Sequence, residues 1–247
     1  MTIVRIVDVE TCGLPPDNAQ VCEVATVDLV LADANVWTRG RMWSSLVNPG
    51  RPIPPEASAI HHIVDDMVKD APTLDQLAET IWAPDGDHGL PDFFAAHEAR
   101  FEKECLKAVG DSKWICTRKA PMTAWPDAPN HKNQTLRYWL GLKLANAALA
   151  EPHRALGDAY VTAAILRRLL IGAGLVVDDL VTISANPVLL PRLTFGEHAM
   201  KPMAEVPLSY LDWIVNKSRG PWDEDILYTA RKYLDAGRDA QRQRSPV

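Results

Sequence analysis

Ile3-Val4-Arg5-Ile6-Val7-Asp8-Val9-Glu10-Thr11 is the stretch on which the reading of this chain turns. Ile3 to Val9 is short, mostly apolar and β-branched, the pattern of a strand buried on both faces. Asp8 and Glu10 lie at its end, and Thr11-Cys12-Gly13-Leu14-Pro15-Pro16 then breaks it. Residues two apart on a strand point the same way, so both carboxylates leave the sheet edge on one side. Like charges held together are unfavourable unless a cation offsets them, and hard oxygen donors suit Mg²⁺ or Mn²⁺. Taken alone, the pair reads rather as two solvated acids at a strand end.

Working outward, Val21 to Leu31 and Trp37 to Val47 read as two more strands, with a hairpin turn at Asp33-Ala34-Asn35. Short helical pieces are expected around Glu56 to Ile60 and Val64 to Val68, and a helix from Thr73 to Trp82. After a loop at Asp85 to Pro91 come a strand at Phe93 to Ala96 and a helix from Ala99 to Val109 stopped by Gly110. A strand at Lys113 to Cys116 and helices around Arg118 to Trp125 and Gln134 to Leu140 follow. The longest helix, Arg154 to Leu170, has Pro152 at its start and Gly172 past its end. Strands able to pair antiparallel, then alternating helices and short strands, indicate the α/β class, a mixed sheet covered by helices.

The 247 residues suffice for one full α/β domain and a smaller unit. Residues 1–172 are read as the main domain and 173–191 as a linker with a short helix. Residues 192–236 are read as a small C-terminal α+β unit: a turn or strand at Leu193 to Gly196, then helices at Ser209 to Asn216 and Glu224 to Asp235. The polar stretch 237–247 is read as a disordered tail. No run reaches the roughly 18 apolar residues of a membrane span, and the N-terminus lacks signal-peptide features, so a cytoplasmic protein is expected. Cys12, Cys22, Cys105 and Cys116 match neither a zinc site nor a disulfide framework and are read as reduced thiols.

The net charge of −6 argues weakly against nucleic acid as a partner. From Arg100 to Lys143, however, nine lysines and arginines stand against four acids. Such a face suits an enzyme that touches a few phosphates near one end of a strand, though a solvated mixed-charge surface is the commoner meaning of a charge run.

Two further groups of residues bear on the acids of the first strand. His153 lies just before the longest helix and Asp158 in its first turns. A five-residue offset does not align two positions on one helix face, but it works if His153 stays on the loop while Asp158 projects from the helix. A histidine beside an activated water is suited to act as a general base, although a lone histidine here is more often a surface or capping residue. Ala96-His97-Glu98-Ala99-Arg100-Phe101-Glu102 runs from strand end into helix, and Glu102 completes a set of four acids. Carboxylates rather than a histidine cluster disfavour a zinc hydrolase.

In order and spacing, Asp8-Val9-Glu10-Thr11, His97 to Glu102, and His153 to Asp158 resemble the three motifs of the DnaQ-like DEDDh 3′–5′ exonucleases. Ser58-Ala59-Ile60-His61 resembles that family's segment between the first two motifs. Likeness to a bacterial DNA exonuclease of the family extends through Glu10 to Leu14, Trp114-Ile115-Cys116-Thr117, His153-Arg154-Ala155-Leu156, Phe195-Gly196 and Tyr210-Leu211-Asp212-Trp213. It covers Ile3 to about Leu234. Each motif alone is a weak signal, and the three in order are a strong one.

The resemblance implies a ribonuclease H-like core and two-metal phosphodiester hydrolysis at DNA 3′ ends, single-stranded or duplex, releasing 5′-mononucleotides in repair or end processing. Asp8, Glu10, Asp158 and Glu102 would hold two Mg²⁺ ions, with Mn²⁺ able to substitute, and His153 would take the proton from water. Thr11, Leu14, His61 and His97 would meet substrate. For Leu14 the alternative is packing under the proline-rich turn, and for His61 it is anchoring a loop. No membrane partner is implied, and the oligomeric state is left open. Two positions depart from the family's His-Asn-x-x-Phe-Asp: Glu98 replaces the asparagine and Glu102 the aspartate. Glu102 could act directly or through water, and Glu98 adds negative charge beside the phosphate path. An RNA 3′-trimming enzyme and a catalytically impaired DNA-end binder therefore stay open. Tyr210, Trp213 and Trp222 could stack on bases, but helical spacing favours core for the first two.

Overall fold

The apolar run becomes β1 (Thr2–Thr11), the middle strand of a five-stranded sheet ordered β3-β2-β1-β4-β5. β2 (Val21–Asp33) pairs antiparallel with β1, and β3 (Val36–Leu46) antiparallel with β2. On the other side of β1, β4 (Phe93–Ala96) and then β5 (Trp114–Cys116) run parallel. The sheet is mixed, as the sequence indicates. This computed structural model describes residues 1–14, 19–33, 36–83, 89–107, 113–218, 220 and 222–244. The Pro15-Pro16 break, the turn at Ala34-Asn35, most of the loop at Asp85 to Pro91 and the stop at Gly110 lie outside these residues.

Helices α1 (Pro55–His61), α2 (Asp65–Val68) and α3 (Leu74–Trp82) follow β3. α3 begins with a capping box, in which the Thr73 hydroxyl accepts from the Gln76 amide and the Gln76 side chain accepts from the Thr73 amide. α4 (Ala99–Cys105) follows β4, and α5 (Lys119–Ala124) and α6 (Asn133–Trp139) follow β5. α4 is shorter than expected: its helical bonding ends at Cys105, and Lys107 takes a left-handed φ of 46°. α7 (Ala155–Gly172) packs on β1, β2 and β3. Ala155, Ala159 and Ala163 are buried and small, which lets a helix approach a sheet closely.

The core includes Val7, Val9, Val24, Phe94 and Trp114, with the Phe94 and Trp114 rings stacked at 5.4 Å. One residue departs from the apolar pattern. Arg5 is fully buried on β1 opposite Asp28 of β2, and donates through Nε and Nη2 to both of its carboxylate oxygens at 2.8 and 2.7 Å. Its Nη1 donates to the carbonyls of Ile81 and Ala83 at the end of α3.

Residues 1–120 and 129–184 form one compact unit, and residues 121–128 with those from 185 onward a second. The short helix expected within 173–191 is α8 (Val177–Ala185). Leu180 is fully buried, and the Ser184 hydroxyl accepts a 2.7 Å bond from the Cys116 amide on β5. In the second unit α9 (Leu208–Asp212) runs on into a π turn at Trp213–Lys217, where one regular helix was expected. Phe195 stacks on Trp222 at 4.3 Å, and Tyr210 and Trp213 pack beside them. The disordered tail expected from residue 237 is corrected as far as Arg244, because α10 (Glu224–Arg244) extends that far, and residues 245–247 lie outside the described residues. All four cysteines are free and buried. Among the described residues no single helix is long and apolar enough to cross a membrane.

Candidate active site

Asp8 lies opposite Ala25 and Glu10 opposite Glu23, and the ladder shifts register between Glu10 and Thr11. That irregularity bends the strand just after its second acid. α7 brings Asp158 to the same place, and carboxylate oxygens of Asp8, Glu10 and Asp158 lie within 4.8 Å of one another. Asp158 is held on both oxygens: Oδ1 accepts from the Gln134 side chain and Oδ2 from the His153 amide, each at 2.8 Å. His153 itself stands just before the helix, exposed, in the left-handed region at φ 57°. The five-residue offset is thus resolved by a loop histidine and a helical aspartate.

Glu102 on α4 is 4% exposed, and its Oε2 has no hydrogen-bond partner among the described residues. It is outside the 4.8 Å triad, yet after burial its charge is the largest influence holding Asp8 well above the usual carboxylate range. Burial, then Asp158 and Glu23, push Glu10 up to about 8. Burial also raises Glu102, with Glu98 and Glu10 adding to it. Burial raises Asp158 too, against the lowering effect of its bonds from Gln134 and His153. Asp8, Glu10 and Asp158 come together, with Glu102 raising Asp8 from outside the triad, and each of these acids resists ionisation while no cation offsets the others' charge. A bound divalent ion reverses this preference and stabilises the ionised forms. The donors are all hard oxygens, which fits Mg²⁺ or Mn²⁺.

Residues 6–166 match the exonuclease (RNase_T) family model. The chain belongs to the DnaQ-like exonuclease family. Exodeoxyribonuclease 10 of Escherichia coli K12 is 31% identical over 94% of this chain and 99% of its own length. A DNA polymerase III subunit epsilon-like protein of Rhodobacter capsulatus is 30% identical over 67% of this chain, which spans 23% of that longer protein. Exonuclease X, solved in complex with 5′-overhanging duplex DNA, superposes with a TM-score of 0.61 at 31% identity, over 73% of this chain and all but 1% of that one (99% covered). The DEDDh nuclease domain of 3′hExo shares the fold at 18% identity and a TM-score of 0.54. Like other members of this exonuclease family, the protein is a hydrolase.

The remaining expected site residues of this exonuclease divide by environment. Leu14 is 75% exposed beside the site's first strand, so packing under the turn does not account for it. The Thr11 hydroxyl donates to the Gly13 carbonyl and braces that turn. His61 is 2% exposed and its Nδ1 accepts from the Ile63 amide, an environment that matches a loop anchor rather than an open wall. The Cys22 thiol lies 3.7 Å from its Nε2. Burial pushes the thiol up to about 12 and pulls the imidazole down, so the two pack as neutral groups, not as a reactive ion pair. His97 donates from Nε2 to the His131 carbonyl and meets the Thr117 hydroxyl through Nδ1. Burial lowers it to about 4, and it stays neutral while tying β4 to the loop before α6. Glu98 pairs with Arg118, which offsets the negative charge expected to burden a phosphate path.

Sequence reasoning missed two supporting groups. Gln134, which holds Asp158, lies 24 residues from it and carries no local signal. Glu23 reads as an ordinary polar position in a strand. A third position, Gly157, sets the shape of the loop. A Cβ there would lie 2.0 Å from the Glu151 carbonyl oxygen, so only glycine lets the chain leading to His153 cross the first turn of α7. Gly157→Ala is expected to destabilise the fold by about 1–3 kcal/mol through overpacking and to reduce turnover. A denaturant titration and an activity assay on the same preparation check this, and unchanged values in both would contradict the crossing.

Proposed function

We propose that the chain is a 3′–5′ exodeoxyribonuclease that removes 5′-mononucleotides from DNA ends in repair or end processing. The observation that carries this reading is the joining of Asp8, Glu10 and Asp158 within 4.8 Å beside a loop histidine. Likeness over nearly the full length to a protein named exodeoxyribonuclease 10 supports DNA rather than RNA as substrate. Asp8, Glu10, Asp158 and Glu102 would hold a pair of Mg²⁺ ions, with Mn²⁺ as a substitute. Bound there, the ions would supply Lewis-acid activation of water and neutralise charge on the phosphate.

The chain's own residues do the rest. The exposed imidazole of His153 takes the proton from the attacking water, from a loop position beside the acids. Asp158 fixes that histidine's backbone while facing the acids of β1. Leu14 offers an apolar surface to the terminal base, on a turn braced by Thr11. Glu102, on α4 outside the triad, would act directly or through water.

The test is mononucleotide release from single-stranded DNA with a free or a blocked 3′ end, and from RNA of the same sequence, with Mg²⁺, Mn²⁺ or EDTA. Release from the free DNA 3′ end alone, abolished by EDTA, is expected. Faster release from RNA would replace the substrate. Salt-sensitive DNA binding without release under either metal would make the protein an end binder.

A further inference from the structure

We propose that Glu23 is the positioning residue for His153, acting through a clamp on the loop that carries it. This rests on the reading of His153 as general base. Glu23 is 4% exposed on β2. Its Oε1 accepts from Arg154 Nη2 at 2.6 Å, and its Oε2 accepts from Arg154 Nε at 3.1 Å and from the Ala155 amide at 2.9 Å. One carboxylate therefore holds both residues that follow His153, from 131 and 132 residues earlier in the chain.

The start of α7 needs this partner. Arg154 occupies its N-cap position with extended backbone (φ −129°, ψ 127°) and provides no side-chain cap. The first helical amides have no partner within a helix, and Glu23 satisfies that of Ala155. His153 is thereby fastened from both directions: its own amide to Asp158 and the next two residues to Glu23. A left-handed non-glycine backbone is unfavourable and persists only where its surroundings enforce it. The Asp158 bond and the Glu23 clamp are that enforcement.

A neutral cap would do less. Glu23 faces Glu10 across the β1–β2 ladder, and its charge is one of the influences that raise Glu10. A carboxylate at that point burdens the acidic cluster. Its two oxygens match the fork of the guanidinium, a geometry that fixes orientation as well as distance. This explains why a charged rather than a neutral acceptor stands beside the site.

The test uses Glu23→Gln, which keeps the shape and breaks the two-point pairing, and Arg154→Lys, which keeps the charge and removes the fork. Both are read for kcat, KM for a DNA strand and affinity for Mn²⁺ alone, followed by electron paramagnetic resonance. A fall in kcat of about 10–100-fold is expected, the range for a supporting partner of a catalytic site, with KM and Mn²⁺ affinity within about threefold of native. In a His153→Ala background, Glu23→Gln should add no further loss, because groups that act as one unit are not additive. Native kcat in both variants would overturn the proposal. So would a loss that multiplies with that of His153→Ala, or one that follows weakened Mn²⁺ binding. His153→Ala with native kcat would instead overturn the general-base reading, and this proposal with it. If Glu23→Gln does not fold, Arg154→Lys carries the same comparison.

Discussion

Replacing Asp8 by asparagine is expected to stabilise the protein in EDTA and to remove its turnover in Mg²⁺. Burial, then the charges of Glu102, Asp158 and Glu10, hold the Asp8 carboxyl well above its usual value of 3.8. In the unfolded chain Asp8 loses its proton near that ordinary value, whereas in the folded chain it keeps the proton to higher pH. Over the interval between them the native state binds more protons, so native stability falls as pH rises. The amide variant cannot ionise and escapes that loss. Its advantage in EDTA should therefore be smallest below pH 3.8 and widen as pH rises through the interval.

Added Mg²⁺ should reverse the order. A ligand that binds only the native state stabilises it by about 2.7 kcal/mol at a hundredfold excess over its Kd. The native protein should gain this and the variant little of it, since Asp8 lies in the triad that would hold the ion. Turnover should fall by more than the roughly 10–100-fold that loss of a supporting partner costs at metal sites. Melting curves against pH in EDTA and in Mg²⁺, with turnover on the same samples, check all three signs. A variant less stable than native in EDTA at high pH, or one that turns over normally, would mean that these acids are not a cation site.

The parts of the fold legible in the sequence are those with local causes. β1 could be read because it is buried on both faces and nearly all its side chains say so; Phe93 to Ala96 was bounded correctly for the same reason. The Asp8 and Glu10 pair follows from strand alternation, and the placement of His153 on a loop and Asp158 on a helix follows from a helix start between them. What could not be read depends on partners far along the chain. Arg5 sits in an apolar run and finds Asp28 only once β2 folds back. Glu23 finds Arg154 only when α7 lies on the sheet. For the tail, polarity alone suggests disorder, yet the alanine, arginines and glutamines over Arg238 to Gln243 are good helix formers, and α10 has acids in its first turn.

Arg5→Met should destabilise the fold more than any other substitution of a β1 residue outside the site. The guanidinium is fully buried and every one of its nitrogens is engaged, by Asp28 and by two carbonyls at the end of α3. Removing it leaves a fully buried carboxylate without its partner and takes from two carbonyls the donor that Arg5 supplies. Breaking one side of a buried ion pair costs about 3–5 kcal/mol, a large share of the roughly 5–15 kcal/mol that holds a domain folded. Asp8 and Glu10 of the candidate site lie on the same strand, three and five residues on, so loss of the β1–β2 register also loses that cluster. Replacing both partners, Arg5→Met with Asp28→Leu, removes the buried charge altogether and should recover much of the stability, because apolar residues often substitute for a buried pair without loss. Recovery should stop short of native, since the Ile81 and Ala83 carbonyls still lack the donor that Arg5 supplied. Urea titrations of the single and double variants measure both steps. A single variant as stable as native would show that the charge of Arg5 is not buried, and a double variant no better than the single would show that the carbonyls of α3, not the carboxylate, dominate the loss.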